Sequence, residues 1–176
     1  EIVENNTEIR AFCGKLKGAE IFFPKSSVGA TEQGILASVL AEGRTILRGC
    51  ACEPEIGWLC SYLNGMGAKI FFSEKNIICI EGVEHLRPGD GVIPPDRIVA
   101  GPYLLAAAAT RGEIIIENPP LGEMGGILEV YRKMGGQYDI FGGKLIVNGK
   151  NTGNPLKLLE TEVYPGFPTD LQSPAM

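Results

Sequence analysis

Basic residues are sparse in this chain, and they never cluster. The 176 residues include 16 Lys and Arg against 21 Asp and Glu, which gives a formal net charge of −5. Because a nucleic-acid interface needs a basic patch facing the phosphates, this composition argues against a nucleic-acid partner. The longest apolar run, from Tyr103 to Ala109, is far shorter than the ~18 residues of a membrane span, and a signal-peptide pattern is missing. We therefore expect a cytoplasmic protein with no membrane partner.

Metal-ligating side chains are also scarce. The chain has a single histidine, His85, and five cysteines, an odd number that favours reduced thiols over a disulfide framework. Cys50 and Cys52 form a lone C-x-C, which lacks the second pair of ligands that a structural zinc site needs. The sequence predicts no metal and no cofactor.

What the chain does contain is an internal repeat. Residues 55–67 match residues 123–135 at an offset of 68 positions, and in both segments the apolar residues follow the i, i+3, i+4, i+7 spacing of a helix. Gly67 and Gly135 are placed to end these helices in a left-handed conformation. Each segment is therefore predicted to be an amphipathic helix in one copy of the repeat.

The match extends to both sides of these helices. Residues 35–43 align with 104–112, each a buried-looking helix followed by a strand. Pairs of short strands then follow the second helix of each copy. We predict two β-α-β-α-β-β units. Their remaining strands are expected at Lys17–Phe23, 45–47, 68–72 and 77–80 in the first copy, and at Gly91–Pro94 (weak), 113–117, 137–141 and 144–147 in the second.

A third copy begins near the end of the sequence. Leu158–Tyr164 is predicted to be its first strand, followed by a proline-rich turn into a helix capped by Thr169 or Asp170. The last six or so residues are too few for a stable helix. We therefore expect this sequence to be part of a longer protein.

The residues with chemical potential lie at the beginnings of the helices. After Phe23, Ser26 or Ser27 can cap a helix whose first backbone N–H groups stay accessible, and Lys25 adds a positive charge. This arrangement suits a phosphate or diphosphate, although it is neither a Walker A loop nor a Rossmann fingerprint. A plain capped helix with an exposed lysine is the alternative reading.

Two aspartates are open to two readings each. Asp170 and Asp96 both sit where a helix is predicted to begin, so each can be a capping residue. A carboxylate held at a cleft can instead accept a proton from a substrate hydroxyl. Residue patterns alone do not choose between these roles.

Five motifs follow one another along the chain: Lys25–Glu32, Glu53–Ile56, Met66–Ile70, Pro95–Ile98 and Tyr164–Gln172. In order and spacing they resemble motifs of the UDP-N-acetylglucosamine enolpyruvyl transferases. The first and last of them are specific to that family. The resemblance runs from about Lys15 to the end of the chain and corresponds to a middle portion of the family's length.

The resemblance implies an α/β fold, the inside-out α/β barrel of two lobes that are each built from three βαβαββ units. Residues 1–94 would be part of the first lobe and residues 95–176 part of the second, so the barrel is incomplete here. The helix beginnings would face one anionic ligand in the cleft between the lobes.

The implied reaction transfers enolpyruvyl from phosphoenolpyruvate to the 3-hydroxyl of UDP-N-acetylglucosamine, the first committed step of peptidoglycan synthesis. By motif match, Asp170 would be the catalytic base, with Thr169 beside it in the substrate site. The family's reactive cysteine has no counterpart among these residues, so we expect the chain alone to be inactive. The nucleotide-sugar segment would comprise Lys25, Ser26, Ser27, Val28 and Gly29.

The sequence departs from the family at several positions and leaves other functions open. Cys52, Val99 and Pro102 replace the usual residues, and an extra proline precedes Asp96, which puts the role of Asp96 in doubt. The alternatives are a sibling enolpyruvyl transferase that acts on shikimate phosphate and a structural or binding domain without catalysis. The Pro-Gly-Phe-Pro-Thr-Asp run speaks against the shikimate sibling.

Overall fold

The computed structural model describes residues 2–153 and 156–176, which form two compact units, Glu1–Gly91 and Val92–Met176. The chain divides after Gly91, whereas the sequence analysis placed the boundary after residue 94. The assignment of the two parts to separate lobes of a larger enzyme stays a prediction.

The first unit begins with a two-stranded hairpin and continues into a four-stranded sheet covered by two helices. The sheet has the order β3-β4-β6-β5, in which β3 runs parallel to β4 and the other neighbours are antiparallel. The elements are β1 (Ile2–Glu4), β2 (Ile9–Ala11), β3 (Glu20–Phe22), α1 (Val28–Ser38), β4 (Arg44–Arg48), α2 (Pro54–Gly65), β5 (Lys69–Glu74) and β6 (Ile77–Glu81).

The described residues of the second unit repeat the sheet and two helices of this plan, without a counterpart of β3. Its three-stranded antiparallel sheet has the order β7-β9-β8, which corresponds to β4-β6-β5 of the first unit. The elements are α3 (Arg97–Thr110), β7 (Glu113–Glu117), a 3₁₀ turn (Leu121–Glu123), α4 (Gly125–Lys133), β8 (Gln137–Phe141), β9 (Lys144–Asn148), a second 3₁₀ turn (Thr169–Leu171) and α5 (Gln172–Ala175).

Hydrogen bonds confirm the repeat at equivalent positions. The Gly82 N–H donates to the Gly43 carbonyl at 2.9 Å, and the Gly149 N–H donates to the Gly112 carbonyl at 2.8 Å. A Cβ at Gly82 would lie 1.6 Å from the Ala41 carbonyl oxygen, and a Cβ at Gly149 would lie 2.1 Å from the Ala107 carbonyl oxygen. Only glycine permits this approach, so the same backbone contact closes each copy.

The helix ends follow the sequence prediction as well. Gly67 and Gly135 have φ angles of +100° and +92°, the left-handed conformation that glycine adopts most easily. α2 begins at Pro54, which has no N–H to leave unpaired.

Each unit has its own apolar core between its helices and one face of its sheet. In the first unit, Leu47 of β4 and Ile78 and Ile80 of β6 are fully buried. Along β4 the buried residues Thr45 and Leu47 alternate with more exposed ones, which is the period-two pattern of a strand with one covered face. In the second unit, Leu145 and Val147 take the equivalent places.

Two predicted strands are wrong. Residues 91–94 form no strand, and the side chains of Val92 and Ile93 are 92% and 93% exposed. Residues 158–164 also form no strand, because the chain turns back instead, with the Glu162 N–H donating to the Phe167 carbonyl at 2.9 Å. The first strand of the first unit is shorter than predicted, since only Glu20–Phe22 pair with β4.

The predicted cap of the last helix is also wrong. Pro168 precedes the 3₁₀ turn at the capping position, and no side chain makes a capping hydrogen bond there. Asp170 lies inside that turn, because the bond from the Leu171 N–H to the Pro168 carbonyl, at 3.1 Å, begins the turn before Asp170.

Among residues 2–153 and 156–176, neither unit contains a helix with the length and apolar character required to cross a bilayer. Among the same residues, no group of three or more His, Cys, Asp or Glu side chains is arranged to hold a metal ion.

Candidate functional site

The beginning of α1 is capped by Ser27, one of the two serines that the sequence proposed. Ser27 has the extended φ and ψ angles of −143° and 123°, and its Oγ accepts a hydrogen bond from the Ala30 N–H at 3.3 Å. The Ser27 carbonyl accepts from the Thr31 N–H at 3.0 Å and begins the helical pattern.

The cap leaves the first two amides of the helix available. Within the described part of the chain, the N–H groups of Val28 and Gly29 have no hydrogen-bond partner. Gly29 is exposed, and a Cβ there would meet nothing within 4 Å. Because the positive end of the helix dipole adds to these donors, the site favours an anion.

Lys25 and Ser26 lie directly before this helix and are exposed. Lys25 forms no ion pair with any residue that the structure describes, so its ammonium group is not committed to a protein carboxylate. Lys25, Ser26, Ser27, Val28 and Gly29 are therefore contiguous at the beginning of α1.

A buried threonine that the sequence analysis did not single out fixes this helix beginning. The hydroxyl of Thr31 donates to the Ser27 carbonyl at 2.8 Å and accepts from the Ala51 N–H at 3.0 Å. Thr31 is fully buried, so these bonds tie the start of α1 to the loop before α2. The spacing of this threonine, four residues after a capping serine, was the sequence signal that could have predicted its bond to the serine carbonyl.

The second candidate segment is the loop from Tyr164 to Asp170, in which the Tyr164–Pro165 peptide bond is cis. Phe167 and Leu171 are 4% and 0% exposed and anchor the loop in the core of the second unit. Thr169 and Asp170 lie between these anchors and are exposed. The loop therefore presents a threonine hydroxyl and a carboxylate from a backbone that is fixed on both sides.

Asp96 has the capping role that was one of its two readings. Its Oδ1 accepts from the Ile98 N–H at 2.7 Å at the beginning of α3. The next residue, Arg97, is only 5% exposed, and its guanidinium lies 5.4 Å from the centroid of the Tyr164 ring. The sequence analysis did not single out Arg97. The available signal was its position, because an arginine at the positive end of a helix is unfavourable unless another contact stabilises it.

The candidate residues thus fall into two groups, one in each unit. Lys25 to Gly29 lie together in the first unit, and Thr169 and Asp170 lie together in the second. A groove of about 850 Å³ beside α4 in the second unit is lined in part by Glu129, Lys133 and Glu162 but by neither Thr169 nor Asp170. The groove is therefore bordered by residues 164–167 of the second candidate segment, while the two predicted site residues of that segment lie outside its lining.

The buried cysteines are poorly suited to act as nucleophiles. Cys50, Cys60 and Cys79 are buried, and burial raises the pKa of the Cys60 thiol to about 11. Burial likewise raises the pKa of Cys50. A thiol with a raised pKa is mostly protonated near neutral pH and is a poor nucleophile.

Sequence comparison connects the chain with carboxyvinyltransferases. A family model described as EPSP synthase (3-phosphoshikimate 1-carboxyvinyltransferase) matches residues 1–176. Relatives named UDP-N-acetylglucosamine 1-carboxyvinyltransferase include a protein of Sorangium cellulosum, 41% identical over 170 residues, and one of Halothermothrix orenii, 43% identical over 171 residues. In both alignments 96% of this chain is covered, and the chain spans about 40% of the relative's length.

Comparison of structures supports the predicted fold. The enolpyruvyl transferase NikO of Streptomyces tendae matches with a TM-score of 0.67 and 20% identity, covering 83% of this chain and 35% of that one. EPSP synthase of Acinetobacter baumannii matches with a TM-score of 0.53 and 23% identity, covering 76% and 31%. The likeness confirms an incomplete enolpyruvyl transferase fold.

Proposed function

This chain belongs to the EPSP synthase family, and from that premise we propose that the full-length protein transfers enolpyruvyl from phosphoenolpyruvate to the 3-hydroxyl of UDP-N-acetylglucosamine. The names of the relatives at about 40% identity support this acceptor over shikimate phosphate. The reaction would serve peptidoglycan synthesis and cell wall biogenesis, and through them cell shape and division. Two soluble anionic substrates fit a cytoplasmic enzyme.

The open beginning of α1 is the observation that carries the proposal. Two backbone N–H groups without partners among the described residues, next to the exposed Lys25, offer three donors to the diphosphate of a nucleotide sugar. Ser26 and Ser27 would complete the substrate-binding segment with Val28 and Gly29. Since Lys25 has no carboxylate partner in the described part of the chain, an incoming phosphate would not have to displace one.

Asp170 is proposed as the base. In the reaction, the sugar O–H bond breaks, a bond forms between that oxygen and the enol carbon, and the bond from this carbon to the phosphate oxygen breaks. The Asp170 carboxylate would accept the hydroxyl proton, and the exposed Thr169 would position the sugar. The loop anchored by Phe167 and Leu171 supports this role, because a base must be held in one geometry.

The role of Asp170 is tested by Asp170→Ala in the full-length protein, with turnover measured as phosphate released in the presence of UDP-N-acetylglucosamine and phosphoenolpyruvate. Loss of a general base lowers kcat by roughly 10²- to 10⁴-fold. Asp139→Ala removes another exposed carboxylate of the second unit, from β8, and should leave kcat unchanged. Normal turnover by Asp170→Ala would remove this residue from the mechanism.

The anion site is tested separately by calorimetry with UDP-N-acetylglucosamine. Lys25→Ala should raise Kd by about 10-fold or more, because a hydrogen bond to a charged group contributes roughly 1.5–3 kcal/mol. Lys75→Ala, in the turn between β5 and β6, removes an exposed lysine of the same unit and serves as the control. Equal affinities of the two variants for UDP-N-acetylglucosamine would mean that Lys25 is an ordinary surface lysine with no part in binding.

An acceptor panel separates the remaining functions. Turnover with shikimate 3-phosphate in place of the sugar nucleotide would identify the sibling activity that the family description names. Binding of UDP-N-acetylglucosamine without turnover by the full-length protein would favour the binding domain without catalysis.

A further inference from the structure

Arg97 occupies a position that is unfavourable for a cation. It is the first residue of α3, where the helix dipole repels positive charge, and its side chain is only 5% exposed. Burial adds the cost of removing a guanidinium from water, and arginine cannot avoid that cost by losing its proton. A residue retained against both effects needs a compensating contact.

One such contact is with the loop that carries Asp170. The guanidinium carbon of Arg97 lies 5.4 Å from the centroid of the Tyr164 ring, within the range of a cation–π interaction. Tyr164 is partly buried and begins the loop, so the pair is shielded from water, where such interactions are strongest. Arg97 therefore holds the upstream end of the loop against α3.

The downstream end is held by packing. Leu171 is fully buried against α3, where its Cδ1 lies 2.4 Å from the position that a Cβ on Gly101 would take. Asp170 precedes Leu171 directly. The carboxylate is thus placed by a segment fixed at Tyr164 by a cation and at Leu171 by an apolar side chain.

We propose that Arg97, stacked on Tyr164, is a positioning residue that orients the Asp170 carboxylate for proton transfer. This inference rests on the proposed role of Asp170. In this proposal the guanidinium of Arg97 touches no reacting atom and acts only through the loop. Its loss should therefore lower kcat and make the loop less ordered.

The kinetic test uses the full-length protein with Arg97→Lys, which keeps the charge but loses the planar group, and with Tyr164→Leu, which removes the ring. Each should lower kcat by about 10-fold or more, because small misplacements of a catalytic group are costly, while KM for phosphoenolpyruvate stays within about twofold. Tyr164→Phe keeps the ring and should retain kcat within about twofold.

The chain offers a matched control. Arg132 lies 4.4 Å from the centroid of the Tyr138 ring, a second cation–π pair in the same unit. Arg132→Lys and Tyr138→Leu should leave kcat unchanged, because this pair joins α4 to β8 and not to the loop. If the Arg97 and Arg132 variants lose kcat equally, the loss is a general effect on the unit and the proposal is overturned.

Hydrogen exchange supplies a readout that does not depend on activity. The amides of Thr169, Asp170 and Leu171 should exchange faster in Arg97→Lys and Tyr164→Leu than in Tyr164→Phe. Unchanged exchange together with unchanged kcat would overturn the positioning role even if a variant unfolds more easily. Full turnover by Asp170→Ala would instead overturn the proposed role of Asp170 as the base, while faster exchange in the Arg97 and Tyr164 variants would still show that this pair holds the loop.

Discussion

Replacement of Gly126 by alanine tests how the loop that carries Asp170 is seated on α4. A Cβ at Gly126 would lie 2.6 Å from the carbonyl carbon of Gly166 and 2.7 Å from the carbonyl oxygens of Gly166 and Pro165. Ordinary contacts of a Cβ begin at 3.4 Å. Because all three neighbours are backbone atoms, no side chain can rotate away, and the loop itself has to move.

Two effects of opposite sign decide the outcome. Alanine is favoured over glycine in a helix by up to about 1 kcal/mol, which would stabilise the variant. Forcing a methyl group into a packed contact costs about 1–3 kcal/mol. Gly125→Ala provides the propensity effect without the contact, because a Cβ there meets nothing within 4 Å. We therefore expect Gly126→Ala to be less stable than Gly125→Ala by about 1–3 kcal/mol.

The measurement is urea unfolding of the two variants and of the unsubstituted chain, monitored by circular dichroism. In the full-length protein, displacement of the loop should also lower kcat in Gly126→Ala and not in Gly125→Ala. Equal or greater stability of Gly126→Ala relative to Gly125→Ala would refute the close approach of the loop to α4.

Three further predictions concern stability. Tyr131 is fully buried and its hydroxyl has no hydrogen-bond partner in the described part of the chain, so Tyr131→Phe should raise the free energy of unfolding by about 1 kcal/mol in urea titrations; a decrease would mean that the hydroxyl is paired. Burial raises the pKa of the Cys60 thiol from the ordinary 9.0 to about 11, so the folded state binds the thiol proton more tightly than the unfolded state does. The stability that this proton contributes is complete below pH 9 and is lost as the pH rises towards 11. The free energy of unfolding of Cys60→Ala, measured by urea titration, should fall less over that pH range than that of the unsubstituted chain. An identical pH dependence of the two would contradict the raised pKa of Cys60. Gly57→Ala in α2 should stabilise the chain by up to about 1 kcal/mol, because a Cβ there meets nothing within 4 Å; a loss in thermal unfolding would count against the packing described.

Elements with strong local signals could be predicted from the sequence. The start of α2 at Pro54, the ends at Gly67 and Gly135 and the strand Gln137–Phe141 all agree with the structure. In each case the deciding information lies within a few residues: a missing N–H, a left-handed glycine or a period of two.

Strands that depend on a distant partner could not be predicted in this way. Residues 91–94 and 158–164 contain enough apolar side chains to suggest strands, yet neither pairs with another strand in the described part of the chain. Glu20–Phe22 are no more apolar, but they pair with β4. A strand is defined by hydrogen bonds to a neighbour, and composition does not reveal whether that neighbour is present.

In the candidate site too, features set by neighbouring residues could be predicted from the sequence, and features set by distant contacts could not. The capping role of Ser27 was proposed from local sequence, whereas the contact of Arg97 with Tyr164 joins residues that are far apart in the chain. The proposed cap by Asp170 is wrong because Pro168 begins the turn earlier. Residue type suggested which groups could act, and tertiary contacts decided how they are held.

The two copies of the repeat have different capping residues at the beginning of their first helices. Ser27 and Asp96 are the capping residues of equivalent helices, α1 and α3. The serine cap is neutral and leaves the positive end of its helix to an external anion, beside the exposed Lys25. The aspartate cap already brings a negative charge to the first amides of α3, which opposes the approach of a second anion. We therefore expect an anionic ligand at the beginning of α1 and not at that of α3, where the buried arginine has the proposed role of holding the loop of Asp170.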